Sequence, residues 1–576
     1  MRREQLLVGT CAFPEQIFNL LNVNESEKDI INEFWDALWN SFLRDKNISA
    51  IVWSEKFDNE KLFSQLLMHL SKAGWVETRV DNNYATINFN GDKLLKWLTQ
   101  DEVNQIKFSH KSSHYRMTKA KSFLSNIVKI NNTRMETGLI REGFMKAGNN
   151  QFSYDTKYIA KYPEEIAYNV DKAYNVGTKE ITYNEIVKDL AEYYGKVNDT
   201  FTLGNNLIDS RGRSIFQCSK KVFNPVSHKD ARASLICPSQ ILTKDGFDAI
   251  YAAIAELNGY RGKNYEDKVQ NGIAMYINRE MPDIEKMHEA NDYSDLHVII
   301  WLSRIYDGLD NYDEREGWNI PVELDALASM LQLIAALTND HEYMRRTNMI
   351  GTQFGDAWSV PYCSRNHVKK AVTPKLYGSN AEPKELWDKN KLQYTQEQLN
   401  KISEEIRTGL YANANNFKDF IIGNVKPKAQ MKVNIWGQEF DIFCNRFKPG
   451  RTTEKTYWIY TSAQNLMKKV VHHSGLIPDL DQFKRYFQTL LLHHLDSRIA
   501  DTICKEMDWV LPNHDAFTVH PNDASKVREI YTRELYKVYK ERRKILFHYF
   551  SSIGIKDIYP DVGEYEVEGF SPYCLK

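Results

Sequence analysis

Around residues 318–337 the apolar spacing of the chain changes its period. Ile320, Val322 and Leu324 alternate as in a strand, and Leu324, Leu327, Leu331 and Ile334 then recur at helical spacing. The segment therefore reads as a strand handed directly to a helix, and the fold class expected for the chain is α+β, predominantly helical. Asp325 sits at the handover. A carboxylate there is well placed to face a cleft, and it serves equally as an ordinary helix N-cap.

Three further segments carry chemistry. Residues 364–378 read SRNHVKKAVTPKLYG. Ser364 predicts a cap for a helix that carries Arg365 and Lys369 at i and i+4, on one face, with Lys370 beside them. Tyr377 follows Lys369 by a little over two turns, about 12 Å along the axis, and Pro374 is expected to kink or interrupt the helix. The competing reading is a solvated cationic face. Residues 508–520 read DWVLPNHDAFTVH, two short strands around a turn expected at Pro512-Asn513, with His514-Asp515 at or just after it. The alternatives are a surface turn or a metal-binding HD hydrolase pair, for which His472-His473 and His493-His494 would be the further ligands. From Ala524 to Phe550 a basic amphipathic helix is expected, with Asp523 as its cap, reading either as a nucleic-acid contact or as a solvated outer face.

Composition narrows the class. The 576 residues correspond to roughly three or four domain-sized units. Lys and Arg number 75 against 76 Asp and Glu, and 42% of residues are hydrophobic, which excludes a disordered chain and an overall polycation. Nucleic-acid binding stays open, because a large enzyme can carry a basic cleft beside an acidic exterior. Residues 104–135 are such a local anomaly: seven Lys or Arg, no acid, and Phe108 and Tyr115 interleaved. This reads as a phosphate-tracking surface or as a solvated helix face. Residues 1 to about 100 look largely helical, with Phe34, Trp35, Leu38 and Trp39 on one apolar face. The seven cysteines are widely spaced with no CxxC pair, which argues against a disulfide framework or a cysteine-rich zinc site. No apolar run approaches the roughly 18 residues of a membrane span. Glu4, Pro14 and Glu15 interrupt any signal-like start, and Glu25, Glu27 and Asp29 disfavour a mitochondrial transit peptide. A cytoplasmic protein is expected.

Taken in order, the motifs resemble those of the single-subunit DNA-dependent RNA polymerases of phages and mitochondria, and the chain looks like a small phage-like member. Asp209-Ser210-Arg211-Gly212-Arg213 is similar to the family's D-x-R-G-R signature. Leu324 to Gln332 resembles the first palm motif, and Arg365 to Gly378 the fingers motif R-x-x-x-K with its following Y-G. His493-His494-Leu495-Asp496-Ser497 resembles the H-S-L-D-S stretch, and His514-Asp515 the second palm motif. The likeness covers roughly residues 200–550.

The resemblance implies a right-hand architecture of palm, fingers and thumb with a short N-terminal domain. Residues 1–100 would form that helical N-terminal domain, 101–205 a thumb-like basic helical region, and 206–576 palm and fingers. The fingers would span about 345–430. Residues 431–462, read as a strand pair with a basic turn at Pro449-Gly450, would be the counterpart of a promoter-contacting hairpin or an ordinary solvent hairpin. The implied activity is template-directed RNA synthesis from NTPs on DNA with release of pyrophosphate. Asp325 and Asp515 would hold two Mg²⁺ ions about 3.5–4 Å apart, with Mn²⁺ able to substitute. Lys369 would donate a proton to pyrophosphate, with Tyr377 and His514 completing the catalytic set. Arg365, Lys370, Tyr377, Gly378 and His493 would bind the nucleotide, Tyr377 monitoring its 2′-hydroxyl. Asp209, Arg211, Gly212 and Arg213 would contact template or hybrid. The partners implied are DNA template, RNA product and NTPs, with an accessory promoter-melting or single-stranded-DNA-binding factor and no membrane.

The pattern departs from the family at two points. Ala326 and Met330 stand where small glycines usually follow the first palm Asp. A bulky residue at the second position suits a primase or a family A-like DNA polymerase that takes dNTPs, which is the alternative. A non-catalytic nucleic-acid-binding subunit is a third reading.

Overall fold

The computed structural model describes residues 25–44, 48–49, 53, 56–57, 60–72, 76–81, 84–89, 151–174, 201–208, 213–218, 224–444, 446–449, 452–460, 465–473 and 476–576. The basic stretch 104–135 and Asp209, Arg211 and Gly212 lie outside the described residues. The fold is mixed α+β. The chain divides into two compact units that alternate along the sequence. One comprises Met1–Gly138, Lys426–Val433 and Phe440–Lys484; the other comprises Leu139–Val425, Asn434–Glu439 and Arg485–Lys576.

The second unit is centred on a three-stranded antiparallel sheet. Its strands are β1 (Val322–Asp325), β2 (Leu511–Asn513) and β3 (Ala516–Val519), in the order β2-β3-β1. Val322, Leu324, Phe517 and Val519 are buried. The last residues of the chain run along the free edge of β1. Asp325 N donates to Lys576 O at 2.9 Å, and Lys576 N donates back to Asp325 O at 3.0 Å.

Helix α3 (Ser329–Thr338) follows β1, and all ten of its residues are buried. An almost wholly apolar sequence requires this, since a helix with no polar face has no stable position at a surface. Each fully buried Leu or Ile contributes about 1.5–3 kcal/mol. Its one amide side chain is satisfied: Gln332 Nε2 donates to Thr347 O and Cys574 O, and Gln332 Oε1 accepts from Tyr531. Packed on α3 are α5 (Tyr486–Glu506) and α6 (Ala524–Lys540). Completing the surroundings are α1 (Lys244–Leu257), α2 (Leu296–Asp310) and α4 (Arg365–Leu376).

The strand-to-helix handover expected at 318–337 is present, but Asp325 is not the helix cap. It is the last residue of β1, and Ala328, at φ 62° and ψ 61°, occupies the N-cap of α3. The basic helix expected to run from Ala524 to Phe550 is broken at Glu541 into α6 and α7 (Arg542–Ser552). Nor is its charge simply a solvated face. Arg528 is buried with Nε donating to Leu575 O, and Arg542 is buried between Asp561 and Glu566. Asp523 stands at the cap position of α6 without a side-chain cap bond.

A four-stranded sheet, formed by Gln151–Tyr154, Phe201–Ile208, Ser214–Cys218 and Leu235–Ile236, also belongs to this unit. Strands therefore enter the 101–205 region expected to be helical. Phe152 and Tyr154 are buried on alternate positions, the two-residue period of a strand.

In the first unit, Phe34, Trp35 and Leu38 are buried on Glu25–Arg44, and Phe34 meets the rings of Trp53, Phe57 and Phe63. The stretch is not wholly helical, because Ile48–Ser49, Val76–Asp81 and Tyr84–Phe89 form an antiparallel sheet. The strand pair expected around Pro449-Gly450 is arranged differently. Pro449 ends a strand that pairs with Leu476–Pro478, and Thr452–Tyr460 pairs with Asn465–His473. Among the described residues no helix is long and apolar enough to cross a membrane.

Candidate active site

The β2–β3 hairpin turns through two residues, His514 and Asp515, since Asn513 and Ala516 are register partners. The turn is thus two residues later than expected. Pro512 lies within β2 opposite Phe517, which an edge strand tolerates because proline's missing N–H need not face a partner. So tight a reversal places His514 in the left-handed region, at φ 62°.

Register then sets the carboxylates. Ala516 on β3 pairs with Asp325 on β1, and Asp515 O accepts from Ala326 N at 3.1 Å. Asp325 and Asp515 are therefore neighbours across the ladder although 190 residues separate them, and both line one cavity of about 490 Å³. Asp325 opens onto the cavity but is enclosed by its walls. That enclosure, with Asp515 and Glu323 adding repulsion and Lys369 partly offsetting it, pushes its pKa up to about 8. Glu323 also lines the cavity and is ion-paired with Arg232, a buried guanidinium whose Nη1 donates to Pro225 O.

Helix α4 supplies a cationic wall. Ser364 is its N-cap and accepts from His367 N, as expected. Val368, Ala371 and Val372 are buried, whereas Arg365, Lys369, Thr373 and Tyr377 line the cavity at i, i+4, i+8 and i+12. Pro374 does not interrupt the helix. It stands in the last turn, where few further backbone bonds are lost, and the helix ends at Leu376. Lys370, one position off the lining face, is exposed and does not line the cavity. Gly378 has φ 80°, and a Cβ there would lie 2.9 Å from Arg485 O, so the chain leaves Tyr377 along a path that only glycine fits.

Tyr377 meets His493 of α5 edge to face, with centroids 5.4 Å apart and an interplanar angle of 62°. One turn further along α5, buried Asp496 accepts from Arg213 Nη2 at 2.7 Å. Burial and, with Arg213 opposing, the nearby Asp515 carboxylate raise Asp496 to about 6. Burial works against the charge of Arg213, but Asp496 outweighs it, with Tyr377 and Asp515 adding, and its pKa is raised. Arg213 thus joins a buried carboxylate where the sequence suggested a nucleic-acid contact. His514 is exposed and does not line the cavity.

Several lining residues carry no local sequence signal. Arg261 projects from the loop after α1, between Gly259 and Gly262, both at positive φ. Lys576 lines the cavity with its pKa lowered to about 8 by burial. His297 of α2 is lowered to about 4 by burial and by Lys229 and Arg232, which keeps the imidazole neutral. Met330 at the start of α3 reaches the same cavity.

Four carboxylates (Glu256, Glu323, Asp325 and Asp515) and four cations (Arg261, Arg365, Lys369 and Lys576) therefore share one concave surface. Such a surface suits a ligand that brings both phosphate oxygens and divalent metal. Among the described residues no three His, Cys, Asp or Glu side chains gather as a ready-made metal site; the side chains of His472 and His473, which the HD hydrolase reading names, lie outside the described residues. No known protein-family model and no curated protein sequence matches the chain.

Proposed function

We propose that this protein is a template-directed RNA polymerase of the single-subunit, right-hand type, joining NTPs on a DNA template in the cytoplasm and releasing pyrophosphate. The observation that carries this reading is the cavity in which Asp325 and Asp515, on paired strands, share one space with the Arg365–Lys369–Tyr377 face of α4.

The donor set fits Mg²⁺ or Mn²⁺. Two adjacent carboxylates offer only oxygen ligands, and a divalent cation offsets both the burial and the repulsion from Asp515 that raise Asp325. Asp325 and Asp515 would hold the metal, with substrate phosphate oxygens and water as the remaining ligands. Bound there, the metal supplies activation of a 3′-hydroxyl and neutralisation of phosphate charge. Arg365 and Lys369 bind the triphosphate, since preorganised cations are the main protein contribution to phosphoryl transfer. Lys369, on the same cavity-lining face, would donate a proton to the departing pyrophosphate. Tyr377, braced by His493, forms the wall against which base and sugar pack. The Arg213–Asp496 pair fixes α5 behind it.

One observation favours a second reading. Met330 lines the cavity where the resemblance leads one to expect glycine, and a side chain beside the sugar would select dNTPs, as in a primase or DNA polymerase. Primer extension on a defined DNA template, with each nucleotide class supplied separately, decides between them. NTP incorporation that Asp515→Ala abolishes is expected. Strong dNTP preference would favour the second reading, and no product with either class and either metal would remove both.

A further inference from the structure

Arg261 and Arg365 reach the cavity from different parts of the chain, and two guanidinium groups left to themselves repel. Between them stands a carboxylate with no part in the motif pattern. Asp356 Oδ2 accepts from Arg261 Nη1, and Asp356 Oδ1 lies 3.5 Å from Arg365 Nε. Each arginine meets Asp356 through one nitrogen and keeps further N–H donors. Arg261 and Arg365 have side-chain exposures of 37% and 36%, against 21% for Asp356, so the cations remain accessible while their shared anion is covered.

Asp356 is itself held in place. Its Oδ1 accepts from Trp358 N at 2.9 Å, and the adjoining Ala357 O accepts from Tyr411 Oη at 2.8 Å. Gly355 N donates to Asn348 Oδ1, and Phe354 N donates to Lys263 O at 2.7 Å, which ties this turn to the loop carrying Arg261. The turn that carries Asp356 is thereby anchored to the loop that carries Arg261 and to Tyr411 and Asn348.

We propose that Asp356 is a positioning residue, gathering Arg261 and Arg365 into a two-guanidinium cradle for the nucleotide triphosphate opposite Asp325 and Asp515. The proposal rests on the polymerase reading for the identity of the ligand. Arg261 thereby becomes a substrate-binding residue, and Asp356 acts only through the two arginines. Holding both forks in place before the ligand arrives removes the ordering cost of two long side chains, a benefit that appears as affinity.

The test uses the full chain and inorganic tripolyphosphate as probe, with binding followed by calorimetry. Asp356→Asn keeps the acceptor for Trp358 N but removes the charge. It is expected to weaken tripolyphosphate binding about tenfold and to raise KM for the nucleotide similarly, with kcat within about threefold. Arg261→Gln should reproduce the loss with Asp356 intact, and the double variant should be little worse than either single one. Wild-type affinity in Asp356→Asn, additive losses in the double variant, or no tripolyphosphate binding by the unaltered protein would each overturn the cradle. If the protein binds tripolyphosphate, loses affinity in Asp356→Asn and yet incorporates nothing on any template, the cradle stands and the polymerase reading fails. Nucleotide incorporation with unchanged affinities and KM in Asp356→Asn removes the cradle alone.

Discussion

Arg213 and Asp496, 283 positions apart in the chain, form an ion pair of 2.7 Å with Asp496 almost wholly buried. Two sequence motifs that look independent thus meet as one electrostatic unit behind the Tyr377–His493 contact. Removing one partner of a buried pair leaves the other uncompensated, at about 3–5 kcal/mol. Arg213→Ala should lose stability on that scale in chemical denaturation near neutral pH, whereas Asp496→Asn, which removes the charge itself, should lose much less. The pH dependence has a definite sign. Asp496 is raised from its ordinary value of 3.8 to about 6, so the cost of its ionisation is absent below 3.8 and complete above 6. Without Arg213 its pKa rises further, so the two folded forms differ only where wild-type Asp496 is ionised, and the stability gap between variant and wild type should close as pH falls through about 6. A gap independent of pH would show that Arg213 acts through packing alone.

Metal binding should release a proton. With Asp325 raised to about 8 in the metal-free protein, the carboxyl is largely protonated near neutrality, and a divalent ion requires the carboxylate. Calorimetric titration with Mg²⁺ at about pH 7, in buffers of different ionisation enthalpy, should show close to one proton released. The number should fall towards zero well above pH 8. Release that does not change across this range would remove Asp325 from the ligand set.

Burial, with repulsion from Asp515 and Glu323 added, makes ionised Asp325 costly to the resting fold. Its raised pKa means that folding favours the protonated form, so stability on its account declines as pH rises from 3.8 through about 8. Asp325→Asn should therefore lower incorporation by about a thousandfold or more, while leaving thermal stability of the metal-free protein unchanged or slightly raised near neutral pH. Water in the open cavity screens the repulsion, so the gain is small. A large loss of stability in this variant would mean that the carboxylate is structural.

Legibility followed chain-local spacing. Asp325, Arg365, Lys369 and Tyr377 were readable because a strand-to-helix change of period and a four-residue helical repeat mark them within a few residues. Asp515 was readable as a hairpin-borne acid, but the turn was misplaced, because proline signals a turn and nothing local announces that β2 is an edge strand able to hold Pro512. Pro374 misled in the same way, since only the end of α4 two residues later makes it harmless. Arg261, Asp356 and Lys576 carry no local signal, because packing between distant segments is what brings Arg261 and Lys576 to the cavity and Asp356 between Arg261 and Arg365. The positive φ of Gly259 and Gly262 around Arg261 was the nearest thing to a signal. The break between α6 and α7 is hidden by continuous helical periodicity, and Arg542, the first residue after it, pairs with Asp561 and Glu566 from the following segment.

Sugar choice should rest on two residues facing one cavity. Met330 is 8% exposed at the start of α3, and Tyr377, 40% exposed, closes α4. Met330→Gly opens the space beside the sugar and should shift the NTP-to-dNTP ratio of kcat/KM towards NTPs by about tenfold. Tyr377→Phe removes a hydroxyl that lines the cavity while keeping the edge-to-face contact with His493, and should shift the ratio the other way. Single-nucleotide extension with matched NTP and dNTP measures both. If neither variant changes the ratio, the sugar does not sit between these side chains.

His514 shares a dipeptide with Asp515 but stands apart from it in role. It is exposed at φ 62°, does not line the cavity, and occupies the first position of a two-residue turn. Its contribution should lie in its backbone, which sets where Asp515 emerges from the hairpin. Asparagine tolerates the left-handed region, whereas a β-branched residue there is strained by about 1–2 kcal/mol. His514→Asn should keep incorporation within about threefold of wild type, while His514→Val should reduce it at least tenfold by displacing the Asp515 carboxylate. Saturating Mg²⁺ should partly restore His514→Val, because the defect lies in metal affinity. A severe loss in His514→Asn, not restored by metal, would instead make the imidazole itself a participant in the chemistry.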